Sequence, residues 1–392
     1  MNELLTMSIS EMPGCEFDCS CGHHHTFSVH DMSIGNGVIN DLPRMAEPFK
    51  DGTILVVFDN HTYEVAGKRA VELLSENGFR VKELLFDCGD EVLLPDEKTF
   101  GRIIQEQELD TSLMIAVGSG VLNDSVKFVT SRTKLPYIIV ATAPSMDGYV
   151  ASGAPQLSCG RKVMPDAHLP YGLIGDIDII TTAPQDLIEA GYGDIVGKIT
   201  AIADWDLALK LNGDERCDTC ITLVSRAMDK CFATAEGLKT RDPKSVEALF
   251  EGLTLAGVAM AVARNSRPAS GAEHLMSHFW EMDAIAKGQK PNHHGVQVGV
   301  ATPVIIRAFE EMADLLPSGT LDLCPSPEYV KELLARAGAP TSPVEIGIER
   351  EVFYQSILHS HKIRDRFSIL SYACDVGRLE AIAQKITAEY YD

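Results

Sequence analysis

Up to about residue 182, short aliphatic and β-branched runs alternate with segments whose apolar positions recur every three to four residues. Beyond it only the second pattern continues. The runs 53–58 (TILVVF), 79–86, 113–117 (LMIAV), 137–141 (YIIVA) and 173–181 predict strands. Helical spacing at 64–77, at 97–109 and after the glycines of 118–120 fills the intervals. Strands alternating with helices imply a parallel sheet with helices on both faces. From residue 185 the spacing predicts helices at 187–211, 217–236, 245–264, 274–285, 295–315 and 327–337, then a helical tail from 365. Asn212-Gly213, Arg267-Pro268 and Pro317-Ser318-Gly319 separate them. The first fifty residues have no strong period and read as an irregular lead-in. The expected architecture is an α/β, Rossmann-like N-terminal domain with a parallel sheet over 1–182 and an all-α C-terminal domain over 183–392.

A chain of 392 residues is too long for one ordinary core and suits that division. Apolar residues at 45% and charged residues at 23% are ordinary for a soluble globular protein. No uninterrupted apolar run approaches the roughly 18–20 residues of a membrane span. The start carries acids and no basic segment, so no secretory signal is expected and a cytoplasmic enzyme is the simplest class. A net charge of −22 repels nucleic acid and anionic membrane, which excludes both as expected partners. It also repels phosphate, so a phosphorylated ligand needs a local cradle of backbone N–H groups, helix N-termini or a few basic side chains.

The ten cysteines are expected to be reduced. Cys15, Cys19 and Cys21 precede His23, His24 and His25, and Cys217 and Cys220 form a C-x-x-C. A structural zinc site usually needs two such pairs; the first cluster could bind a metal and the C-x-x-C has no clear partner pair, and neither is given a role.

Three strand ends carry nucleotide-type chemistry. Gly118, Ser119, Gly120, Val121 and Leu122 follow the third strand, where glycines admit phosphates and the next helix offers N–H groups. Asp59 ends the first strand, placed either to accept from a ribose or to cap the following helix. Thr142, Ala143, Pro144, Ser145, Met146 and Asp147 form a polar loop after the fourth strand, where open α/β sheets bind ligands. The helical half carries metal-type chemistry: Asp194, the i,i+4 pair His274 and His278, and His293-His294. Asp194 could equally pair with Lys198, and the histidines could be hydrogen-bonded structural residues.

The segments FDCSCGHHH, GSGVLND, TAPSMDGY, GYGDIVGK, SRPASGAEHLMSHFWEM and HHGVQVGV span residues 17–300 in one order. Together they resemble the glycerol-1-phosphate dehydrogenases, a bacterial branch above all, within the iron-containing alcohol and polyol dehydrogenase superfamily. The resemblance implies the dehydroquinate synthase-like, iron-containing alcohol dehydrogenase fold. It implies one divalent metal (zinc, nickel or iron) on Asp194, His274 and His294, with the H-G pattern favouring His294 over His293. It implies NAD or NADP on Asp59, Gly118–Leu122 and Thr142–Ser145, and substrate contacts from Asp147, Asp194 and His278. Family members usually carry a cofactor-contacting Ser where this chain has Ala151, with Ser152 next to it. The implied reaction interconverts dihydroxyacetone phosphate and sn-glycerol 1-phosphate, supplying a lipid precursor, in a homodimer. A glycerol dehydrogenase and a dehydroquinate-synthase-type lyase are the neighbouring readings. Arg161, Lys162 and Arg267 are available as phosphate-gripping residues, but no motif fixes any of them.

Overall fold

The computed structural model describes residues 3–89 and 92–392. Its strands are β1 (Glu16–Asp18), β2 (His24–Thr26), β3 (Asp31–Gly35), β4 (Thr53–Asp59), β5 (Arg80–Phe86), β6 (Thr111–Gly118), β7 (Tyr137–Ala141), β8 (Gln156–Ser158), β9 (Arg161–Val163) and β10 (Gly172–Asp176). Six of them form one sheet in the order β3-β10-β7-β6-β4-β5, with every pairing parallel. The central strands β4, β6 and β7 are the apolar, β-branched runs, because both of their faces are covered. The edge strands β3 and β5 are partly exposed and more polar, which is why the sequence pattern missed β3. The pairs β1–β2 and β8–β9 are separate antiparallel hairpins.

The strand expected over 173–181 stops at Asp176. Its carboxylate accepts from the backbone N–H groups of Gly37 (3.1 Å), Ile39 (2.9 Å) and Asp178 (3.1 Å), and that cap turns the chain into the short helix Ile177–Ile180.

The second half is helical: Gln185–Asn212, Asp218–Ala233, Pro243–Ala263, Ala272–Ala286, His294–Glu311, Pro327–Ala337, Arg350–His359, Ile369–Asp375 and Leu379–Tyr391. The helix Gln185–Asn212 ends at Gly213, whose φ of 73° suits a left-handed cap. Pro243–Ala263 is, among the described residues, the one helix long and apolar enough to cross a membrane, but 83% of its apolar window is buried in the core. One continuous core contains Leu55, Val57 and Ala116 from the sheet and Tyr192, Val196, Leu223 and Phe250 from the helices. A second cluster around Met45, Phe58, Leu73 and Leu74 closes the other sheet face, and Trp280, Phe309, Phe353 and Ile382 form a third in the helical half. The two hairpins reach across: Lys162 of β9 pairs with Glu281, and His23 beside β2 pairs with Glu215.

Candidate active site

Missing side chains bring the site together. A Cβ on Gly191 would lie 1.7 Å from the Pro144 carbonyl oxygen, so only glycine lets the loop after β7 rest on the helix Gln185–Asn212. A Cβ on Gly193 would meet Gly295 O at 2.2 Å, and one on Gly295 would meet Ala190 O at 1.8 Å. These glycines let the helices Gln185–Asn212 and His294–Glu311 touch backbone to backbone, and the crossing carries Asp194 and His294 into one region.

There the structure gathers Asp194, His274, His294, His278 and Asp147. His274 Nε2 lies 3.4 Å from Asp194 Oδ1, and the rings of His274 and His294 are 5.2 Å apart. The His278 ring stacks on His294 at 5.4 Å. The Asp147 backbone N–H donates to Asp194 Oδ2 at 3.1 Å. Both imidazoles are oriented from behind. His274 Nδ1 faces Glu273 Oε1 at 2.7 Å, while Glu273 accepts from Thr200 Oγ1 at 2.6 Å and from the Gly271 N–H at 2.6 Å. His294 Nδ1 lies 3.0 Å from Ser277 Oγ and 3.1 Å from Glu281 Oε1. A carboxylate on Nδ1–H leaves Nε2 with the lone pair that a metal requires.

One edge of the donor set has the spacing of a divalent ion's ligands. Two ligands bonded at about 2.0–2.1 Å to a tetrahedral ion stand roughly 3.3–3.4 Å apart. The Asp194–His274 separation of 3.4 Å matches this. Among the described residues of this region, the three groups whose donor atoms all lie within 4.8 Å of one another are His278, Glu281 and His294, whereas Asp194, His274 and His294 together are not that close. Glu281 already pairs with Lys162 and accepts at the His294 Nδ1 side, which makes it an orienting group for His294.

Lys198 is the residue that the sequence reading met only as the bland alternative. Its fully buried ammonium lies 2.6 Å from Asp194 Oδ1 and 2.5 Å from Asp147 Oδ2. The i,i+4 pairing is therefore real, and it occupies the Asp194 oxygen that also faces His274 Nε2. Burial pushes the Asp194 carboxyl up, but Lys198 and His274 outweigh it and hold Asp194 well below the usual range. Burial and the neighbouring Asp194 charge raise Asp147, and Asp147 and Asp194 raise Lys198 against its own burial. For Glu281, burial acts upward while Lys162 and His294 bring it down to about 2. Burial, with Lys162 and Arg364 nearby, holds His278 well below the usual imidazole range, so it is neutral at pH 7. Glu273, Ser277, Glu281 and Arg364 also escaped the sequence reading; Glu273, Ser277 and Glu281, at i−1 or i+3 of the two histidines, left a spacing that could have found them, and Arg364 left none.

The cofactor-type loops meet beside this cluster. Gly118 ends β6, and a Cβ there would strike Leu122 at 2.4 Å. Ser119 caps the helix Gly120–Thr133, and its Oγ lies 2.7 Å from Ser145 Oγ, tying the two loops together. The Thr142 N–H donates to Gly118 O at 3.1 Å, and Tyr149 Oη donates to Ala143 O at 2.5 Å. Asp59 Oδ1 accepts from the Thr62 N–H at 2.8 Å, so the capping alternative holds at the end of β4. Ala151 is buried against Met260 and Ala269. Among the basic candidates, Arg267 is committed to Asp214 and Phe367 O, and Arg161 is exposed on β9. Lys162 remains at the cluster through Glu281.

The iron-containing alcohol dehydrogenase family model matches residues 33–184. The glycerol-1-phosphate dehydrogenase [NAD(P)+] of Bacillus licheniformis is 31% identical, covering 98% of this chain and 98% of its own. That of Methanosarcina barkeri is 32% identical over 90% of this chain and 94% of its own. The iron-containing alcohol dehydrogenase of Thermococcus thioreducens shares the fold at a TM-score of 0.70 and 17% identity, covering 91% of this chain and 98% of that one.

Proposed function

Because the chain belongs to the glycerol-1-phosphate dehydrogenase family, we propose that it interconverts dihydroxyacetone phosphate and sn-glycerol 1-phosphate with NAD(P). The placing of Asp194 against His274, with the His294 ring 5.2 Å from His274, beside the loop Thr142–Ser145 supports this reading. Asp194, His274 and His294 would hold one divalent ion, zinc or nickel, with iron the third candidate. When bound, the ion supplies Lewis acidity at the substrate oxygen and the nicotinamide supplies or takes the hydride.

The protein's own groups do the rest. Glu273 fixes the His274 ring, and Ser277 with Glu281 fixes His294. Lys198 keeps Asp194 ionised and holds Asp147 in place, where both can orient substrate hydroxyls. Neutral His278 can accept or relay the hydroxyl proton. Lys162 and Arg364, the cations acting on His278, are the local positive field that a phosphate needs in a chain of −22 charge. Gly118–Leu122 and Thr142–Ser145 would cradle the dinucleotide phosphates, and Ala151 lies on the same loop. The second carboxylate oxygen of Asp59 would meet the ribose and disfavour a 2′-phosphate, which favours NAD over NADP. A homodimer in the cytoplasm, supplying glycerophosphate for lipid, completes the reading.

The test is NADH oxidation with dihydroxyacetone phosphate against dihydroxyacetone. A strong preference for the phosphorylated ketone supports the proposal. A preference for dihydroxyacetone would make the enzyme a glycerol dehydrogenase, and phosphate release without net NADH consumption would make it a lyase.

A further inference from the structure

The two cysteine clusters, almost two hundred residues apart in sequence, meet in the fold. The β1–β2 hairpin lies against the start of the helix Asp218–Ala233. There Cys19, Cys21, His25 and Cys217 each present one donor atom, all within 4.8 Å of one another. Cys19 Sγ lies 3.6 Å from Cys217 Sγ, His25 Nε2 lies 3.6 Å from Cys217 Sγ and 3.1 Å from Cys21 Sγ. We propose that these four residues form a structural Cys3His zinc site, separate from the active site, that staples the lead-in hairpin to the helical half.

The distances choose between the chemistries available to such a cluster. A tetrahedral zinc with Zn–S near 2.3 Å and Zn–N near 2.0–2.1 Å sets S···S at about 3.8 Å and S···N at about 3.6 Å. Two of the three distances above fall within about 0.2 Å of those edges, and the Cys21–His25 contact opens by roughly half an ångström. A disulfide would join only two of the sulfurs, at about 2.05 Å, and leave the third thiol and the imidazole without purpose.

The hairpin is shaped for the task. The Cys19 N–H donates to His23 O, the Gly22 N–H donates to Cys19 O, and Gly22 takes a φ of 89° to close the turn. That turn returns His25 to Cys21 across two strands of three residues each. His25 is 6% exposed and Cys217 is 5% exposed, so a bound ion would be largely screened from solvent. Strands this short do not hold themselves, and the His23–Glu215 ion pair beside them is exposed and adds little. Structural zinc is the usual remedy for such a segment.

The experiment is metal analysis of the full-length protein, with His274→Ala and Cys217→Ser variants beside it. Wild type should carry about two ions per chain, H274A should keep one zinc, and C217S should lose that zinc. Cobalt-substituted H274A should show a thiolate-to-cobalt charge-transfer band and X-ray absorption fitting three sulfurs and one nitrogen. The variant His25→Cys keeps the donor number and should retain the zinc, which separates ligation from a failure to fold. H274A protein without thiolate-bound metal, or with a Cys19–Cys217 disulfide, would overturn the proposal.

Discussion

Replacing Lys198 with methionine removes the cation shared by two buried carboxylates. Lys198 is fully buried, and its ammonium sits 2.6 Å from Asp194 and 2.5 Å from Asp147. Methionine fills the same channel without the charge. Breaking a buried pair from one side typically costs about 3–5 kcal/mol, because the remaining charge is left without compensation. Asp147, already raised by burial and by Asp194, would take up a proton and cap the loss within that range. For 392 residues the unfolding entropy near 60 °C is roughly 0.8 kcal/mol/K, so the metal-free variant should melt about 4–6 °C lower. A divalent ion should recover more stability in K198M than in wild type, since it no longer faces an ammonium bound to the same Asp194 oxygen. The assay is a pair of thermal melts on chelator-treated protein, with and without added nickel or zinc. An unchanged metal-free melt, or equal stabilisation of both proteins by metal, would refute the reasoning.

Glu273→Gln should weaken metal binding about 10–100-fold, measured by competition with a chelator, because Gln no longer holds the His274 ring as a carboxylate does. Gly191→Ala should raise the KM for the dinucleotide and cost about 1–3 kcal/mol of stability, since the new methyl displaces the loop at Pro144 O. Lys162→Met and Arg364→Met should each raise the KM for dihydroxyacetone phosphate about tenfold or more, with little change for dihydroxyacetone. Glu281 has a folded value of about 2, below its unfolded one, so its contribution is complete above pH ~4.3 and is lost as pH falls from there through the folded value of about 2. Stability measured down the acid limb should therefore fall less steeply in E281Q than in wild type.

The sequence disclosed what depends on local pattern. Buried strands such as β4 and β7 carry continuous apolar runs, and the long helices carry their period and end at recognisable breakers such as Gly213. It concealed elements whose stability comes from elsewhere. The edge strand β3 has one covered flank, the hairpins are three-residue strands held by contacts across the chain, and helix Arg350–His359 packs mainly through Phe353 and Ile357. In the candidate site, motif segments marked Asp194, His274 and His294, and the structure brings Asp194 to 3.4 Å from His274 and the His274 and His294 rings to 5.2 Å. Lys198 was visible only as a helical neighbour of Asp194; its second partner, Asp147, lies 51 positions earlier, and no one-dimensional spacing records that contact. The same limit hid the encounter of Cys217 with Cys19, Cys21 and His25.

Anomalous diffraction at the metal edge, from crystals of the metal-loaded protein with NAD, tests the central claim most directly. The account predicts a peak about 2.0–2.2 Å from Asp194 Oδ1, His274 Nε2 and His294 Nε2, with the nicotinamide facing it. A peak held by His278, Glu281 and His294, or none in the cluster, would contradict it.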